Sequence, residues 1–329
     1  MDRRDFLKAS AGAVAVAGLA NCASASGSAP EKTSEEDKVS TVYFTKDLSA
    51  AGVLKLYEKV KQNISGKVAI KLHTGEPNGP NIIPREWDEA LQKAIPNSTI
   101  VETNTLYQGG RYTTADHRKA LEVNGFTKFT VVDIMDEDGE TPIPVKDGYW
   151  LKELHVGKHM LNYDSMVVFT HFKGHAMGGF GGSMKNIAIG CAGGQIGKRE
   201  VHLNTSDVNA SADWIMGAKF MELMGDSAKA TCDHFKGKMC FINVLRRMSV
   251  DCDCAGTSAA EPTCRDIGIL ASTDILAVDQ ASIDMVYKLP PKELKDLKER
   301  IESREGLHQL DAMEHHKMGS RKYKLVEVL

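Results

Sequence analysis

The chain has 329 residues, 42% of them hydrophobic, and a net charge of −3 from 41 basic and 44 acidic residues. That is enough to bury a sizeable core in one large domain or two small ones. There is no concentrated basic block of the kind that phosphate-backbone binding needs, so no nucleic acid is expected as a partner, and a small-molecule ligand is.

Residues 1–22 read as a targeting segment rather than as part of the fold. Arg3-Arg4-Asp5-Phe6-Leu7-Lys8 is a twin-arginine export signature, and the apolar residues 9–20 behind it are too few for a permanent membrane helix. Leu19-Ala20-Asn21-Cys22 resembles a lipobox, which would make Cys22 a lipid-bearing N-terminus and the membrane a partner. Cleavage after Ala23-Ser24-Ala25 is the other reading, and both place the mature protein outside the cytoplasm, in the periplasm or cell envelope. The twin-arginine route carries folded proteins, which raises the expectation of a cofactor inserted beforehand. Residues 23–39, rich in Ala, Ser, Glu and Lys, read as a flexible tether.

Residues 40–329 are expected to form an α/β domain, whole or in two lobes. Strands are predicted at 41–44, 68–72, 99–102, 130–133, 165–170, 240–245 and 267–271, with helices at 50–62, 85–94, 114–123 and 210–224. Near-continuous apolar strands alternating with amphipathic helices predict a mostly parallel sheet with helices on its faces. The C-terminal part is helical at 274–287, 291–303 and 308–318, before a last strand at 322–329.

Three stretches carry chemistry. Lys71-Leu72-His73-Thr74-Gly75-Glu76 sits at a strand end, where open parallel sheets gather ligands, and alternation puts Lys71 and His73 on one face. Thr103-Asn104-Thr105-Leu106-Tyr107, then Gly110-Arg111 and Asp116-His117, follows the next strand. The richest stretch is residues 170–186, with His171, Lys173, His175, five glycines and Lys185. His171, Lys173 and His175 would share a face if the strand continued. A lysine between two histidines suggests an anionic substrate held by charge, with the histidines as acid and base. Gly179, Gly181 and Gly182, ahead of a helix, offer backbone N–H groups for an anion nest that Lys185 could reach.

Nucleotide cofactors have no support. The glycine and Arg199 positions in Gly190-Cys191-Ala192-Gly193-Gly194-Gln195-Ile196-Gly197-Lys198-Arg199 break the phosphate-loop pattern, and no GxGxxG opens a helix after the first strand. Cysteine is denser: Cys232, Cys240, Cys252, Cys254 and Cys264 fall within one stretch. Cys252 and Cys254 could share a metal, with Cys264 returning to it and Cys191 as a fourth ligand or a reactive thiol. Disulfides such as Cys232 with Cys240 or Cys254 with Cys264 are the alternative in an exported protein. Asp274 reads as a helix N-cap.

These motifs, together with Asp251-Cys252-Asp253-Cys254, Asp266-Ile267-Gly268-Ile269-Leu270 and Asp279-Gln280-Ala281-Ser282, resemble over nearly all of residues 41–329 the family catalogued as domain of unknown function 362. Members are often labelled iron–sulfur centre proteins because many carry ferredoxin-type cysteine repeats. This chain has no such insert, only Cys-Asp-Cys. The resemblance implies an iron–sulfur cluster or a mononuclear metal near Cys252 and Cys254. With the basic crevice, the expectation is an oxidoreductase acting on a small anionic substrate, with a redox partner. An isomerase or lyase with a histidine base, or a non-catalytic solute- or metal-binding lipoprotein, fits the same residues.

Overall fold

A computed structural model describes residues 39–329. The chain begins with β1 (Ser40–Thr45), α1 (Ala50–Val60), β2 (Val68–Lys71), α2 (Arg85–Ala94), β3 (Ser98–Glu102), α3 (Thr114–Val123) and β4 (Asp133–Ile134). A hairpin of β5 (Glu140–Pro144) and β6 (Glu153–Gly157) follows, then β7 (Ser165–His171), the short pair β8 (Lys173–His175) and β9 (Gly179–Gly181), α4 (Ser183–Gly190) and α5 (Gly197–Leu203). The rest is α6 (Gly217–Phe235), β10 (Met239–Leu245), β11 (Gly268–Ser272), α7 (Ile275–Tyr287), α8 (Pro291–Ser303), α9 (His308–His315) and β12 (Tyr323–Glu327).

Eight strands form one sheet in the order β12-β1-β11-β10-β7-β2-β3-β4. All neighbours are parallel except β11, which runs against both β1 and β10. The mostly parallel α/β sheet expected from the sequence is therefore present. Every residue of β7 and of β10 is buried, because apolar layers cover both faces. Val167 and Phe169 face a core built with Val53, Leu56, Leu91 and Leu121 of α1, α2 and α3. Met166 and Val168 face the other, with Met184, Leu223, Met224 and Leu276 of α4, α6 and α7. This two-sided alternation within one run is the signature of a central strand.

The differences have local causes. The helix expected at 210–224 begins at Gly217 and runs to Phe235. The strand expected at 130–133 is reduced to Asp133–Ile134, preceded by a 3-10 turn at Phe126–Lys128. The β5–β6 hairpin was not anticipated: Pro142 and Pro144 lie in β5, and proline is tolerated there because the pair is two-stranded and every strand in it is an edge. Asp274 is an N-cap as expected, its carboxylate accepting the Ala277 N–H at 2.9 Å.

Candidate active site at the carboxyl edge of the sheet

The carboxyl ends of the adjacent strands β7, β2 and β3 open into a cavity of 360 Å³. Lys71 ends β2, Glu102 ends β3 and Thr170 comes from the end of β7, and all three line it. Other lining residues include His73, Arg111, Lys173, His175, Gly181, Gly182 and Lys185, and Cys252 and Cys254 from the loop after β10. The crevice expected from the sequence thus draws on all three motif stretches and on the cysteine segment.

The cations of this wall are not equally free. Lys71 Nζ lies 3.3 Å from Glu102 Oε2 and donates to Asn186 Oδ1 at 3.0 Å. Arg111 Nε donates to Glu76 Oε1 at 2.9 Å, and its Nη1 lies 3.5 Å from Glu102 Oε1. Burial opposes ionisation of Glu102, but Lys71 and Arg111 overcome it and hold the carboxyl well below the usual range. Lys173 Nζ pairs with Asp253 Oδ2 at 3.0 Å. Lys185 differs: it is 8% exposed, lines the cavity, and has no hydrogen-bond or ion-pair partner among the described residues. Burial lowers its pKa. Of these four cations, Lys185 is the one with all its donors left for a ligand.

The anion nest expected of Gly179, Gly181 and Gly182 is corrected. The N-terminus of α4 already holds an anion, the buried carboxylate of Asp279, which accepts Ser183 N–H at 2.8 Å and Met184 N–H at 2.9 Å. Gly182 lies against that carboxylate, where a Cβ would come within 2.5 Å of Asp279 Oδ1. Gly179, at φ +75°, lets β9 pass the backbone of Gly306, 2.7 Å from where a Cβ would sit. Gly179 and Gly182 serve close packing, whereas a Cβ at Gly181 would meet only the Lys185 and Lys173 side chains, at 3.6 and 3.8 Å.

His171, Lys173 and His175 do not share a face, because the strand breaks at Phe172 between β7 and β8. His171 is turned away from the cavity. Its Nδ1 meets the Asp253 carboxylate at 2.9 Å and its Nε2 meets the Arg246 carbonyl at 2.7 Å, so neither nitrogen is left for a substrate. Asp253, between the two cysteines, therefore ties their loop to both His171 and Lys173. Burial works against its charge, and those two partners hold the carboxyl well below the usual range. His117 is fully buried, with Nδ1 on Asn104 Oδ1 at 3.2 Å, and does not line the cavity. Asp116 is part of the α3 cap with Thr113.

His175, Cys252 and Cys254 bring one nitrogen and two sulfurs within 4.8 Å of one another. His175 Nδ1 accepts the N–H groups of Met177 at 3.1 Å and Gly178 at 2.9 Å, which leaves Nε2 for the sulfurs. His73 repeats the arrangement, with Nδ1 accepting from Gly75 N–H and Nε2 lying 3.6 Å from Cys252 Sγ. The hydrogen bond from the Cys254 thiol, against the effect of burial, and the nearby His73 and Lys173 hold Cys252 well below the ordinary thiol range. The same bond and burial push Cys254 well above it. Cys252 is the thiolate of the pair, and Cys254 keeps its proton.

Among the described residues the other cysteines lie elsewhere and every cysteine is free, without the disulfides considered above. Cys191, expected as a fourth ligand, is fully buried in the core, and burial pushes its thiol up to about 12. Cys264 donates to the Met248 carbonyl, and burial raises it to about 11. Neither belongs to the converging group. Conversely, the sequence did not single out Glu102, His202 or Trp214 as lining residues, and Lys198 figured only as a failed phosphate-loop lysine. Lys198 is buried, donates to Thr103 Oγ1 at 2.6 Å and the Ala192 carbonyl at 2.7 Å, and is lowered by burial to about 8.

The profile of the family described as Domain of unknown function (DUF362) matches residues 68–284, a span holding every residue of this wall. The chain belongs to that family. A twin-arginine translocation signal sequence matches residues 1–20 and supports export by that route. Cys22, with the lipid anchor expected on it, and most of the expected tether lie outside the described residues. Among the described residues no helix is long and apolar enough to cross a membrane.

No curated protein matches the chain. Among solved structures, it is similar to the lactate racemase apoprotein of Thermoanaerobacterium thermosaccharolyticum, at 12% identity and a TM-score of 0.44 over 77% of this chain and 57% of that one. It is also similar to a protein of Thermotoga maritima, at 8% identity and a TM-score of 0.40 over 78% and 58%. The chain thus spans under two thirds of the length of each.

Proposed function

We propose that the mature protein is an exported metal-dependent enzyme that holds one ion on Cys252, Cys254 and His175 and acts on a small anionic substrate bound beside it by Lys185. The observation that carries this reading is the convergence of two sulfurs and an imidazole within 4.8 Å, on the wall of a cavity that also receives an unpartnered lysine. Two sulfurs and a nitrogen suit a soft or borderline ion, and three protein ligands leave a fourth position for substrate. A cluster of the four-thiolate kind does not fit, since only two thiols converge among the described residues.

An ion in that position supplies Lewis-acid polarisation of a substrate oxygen and, if it is redox-active, an electron route to a redox partner. The chain supplies the rest. Lys185 holds the anionic group, Asp253 with His171 and Lys173 fixes the cysteine loop, and the His73 N–H orients the Cys252 sulfur. Substrate oxidation or reduction is the reading for a redox-active ion.

Metal analysis of protein purified anaerobically tests this. About one ion per chain is expected, lost in Cys252→Ser and Cys254→Ser and kept in Cys191→Ser and Cys264→Ser. Uptake must release the Cys254 thiol proton, so affinity rises with pH through neutrality, while the neutral His175 ring keeps its proton and moves it from Nε2 to Nδ1, in place of the N–H groups accepted there, to present a bare nitrogen. A folded protein that neither contains nor takes up an ion rules the reading out.

An isomerase or lyase is the second reading, favoured by Lys198. A buried amine lowered to about 8 and facing the cavity is a better placed base than His171. It predicts solvent-proton exchange into substrate that is lost in Lys198→Met and survives Cys252→Ser.

A further inference from the structure

The cavity lining includes groups that the ion site does not use. His202, from α5, is 7% exposed, lines the cavity, and has an enclosed Nδ1 with no hydrogen-bond partner among the described residues. Its ring stacks on Phe220 at 5.0 Å and lies 4.8 Å from the ring of Trp214. Trp214 is 44% exposed and belongs to the segment between α5 and α6, residues 204–216, which has neither helix nor strand. Met177, Leu106 and Ile189 complete an apolar lining. Lys185 lines the same cavity, and its charge acts on both the His175 and the His202 rings.

A buried lysine without an anion is costly. Such a lysine, in one cavity with a half-exposed indole, forms a polar head site with a flat apolar wall. Small hydrophilic acids would satisfy the first and leave the second wet. We infer that the substrate is an aryl-bearing acid, whose anionic group sits on Lys185 and whose ring lies against Trp214 and Met177. This rests on the reading of the cavity as an anion site and adds the class of acid it selects.

Calorimetric binding of phenylacetate, acetate and benzyl alcohol tests it. Phenylacetate is expected to bind about tenfold or more tighter than acetate, and Trp214→Ala, a change at a half-exposed position, to bring the two close to equal. Lys185→Met weakens both acids by about tenfold without altering their ratio. Equal affinities in the unaltered protein, or a ratio indifferent to Trp214→Ala, overturn the aryl subsite while leaving the anion site. Benzyl alcohol binding as tightly as phenylacetate, with no effect of Lys185→Met, overturns the anion site instead. If neither acid binds, both fall.

Discussion

His73 Nε2 lies 3.6 Å from Cys252 Sγ, while the other nitrogen of the same ring accepts the Gly75 N–H at 2.9 Å. A nitrogen that accepts a backbone N–H carries no proton, so the neutral ring is protonated at Nε2 and donates to the sulfur. The backbone of residues 73–75 thus selects the tautomer that favours a thiolate.

Carboxymethylation by iodoacetate, followed by mass spectrometry, reads this out. The reaction at Cys252 should persist at pH values well below the ordinary thiol pKa of about 8.5, and His73→Phe should move its inflection upward by about one unit. An inflection in the ordinary range for the unaltered protein contradicts the assignment of Cys252 as the thiolate.

Asp279 is the second place where one side chain decides a local structure. It accepts from Ser183 N–H, Met184 N–H and, at 2.7 Å, Asn243 Nδ2. Asp279→Ala leaves three buried donors unsatisfied, and a loss of about 3 kcal/mol or more is expected in urea unfolding. Because Lys185 stands in the first turn of the same helix, anion affinity should fall as well. A loss below about 1 kcal/mol would show that water replaces the carboxylate freely.

Acid should weaken the fold through buried histidine. Burial, aided by the Arg111 charge, lowers His117 to about 3, below its unfolded value of about 6.5. A group depressed in the folded state contributes stability above its unfolded pKa and loses it as pH falls toward the folded one. The stability gap between the unaltered protein and His117→Gln should therefore shrink by up to about 2 kcal/mol between pH 7 and pH 5. Asp88 and Asp279, raised by burial to about 7 and about 6, act in the opposite direction. Their contribution is present at low pH and lost as pH rises, so the total curve should be flatter than the histidine part alone. A gap that does not narrow on acidification contradicts the buried neutral state of His117.

The central strands were legible because burial on both faces leaves long apolar runs, as in β7 and β10. The α6 boundaries were not. The helix predicted at 210–224 stops just before Gly225, which lies mid-helix, where a Cβ would come within 2.9 Å of the Ala312 Cβ, so it sets the close approach of α6 and α9. In the site, residue types were legible and their pairing was not. Lys71, Arg111 and Lys173 read as free cations, and only the fold brings Glu102, Glu76 and Asp253 against them. The same holds for His171, whose removal from the cavity depends on a carboxylate 82 residues away.

The contact between His73 and Cys252 spans 179 residues, so no fragment of the sheet can build it. A chain that crosses a membrane already folded makes this contact on the reducing side, before an oxidising compartment is met. Cys252 is then 4% exposed and open only to the cavity that it lines. The order of events, folding and then translocation, would in this way decide the oxidation state in which the two thiols arrive.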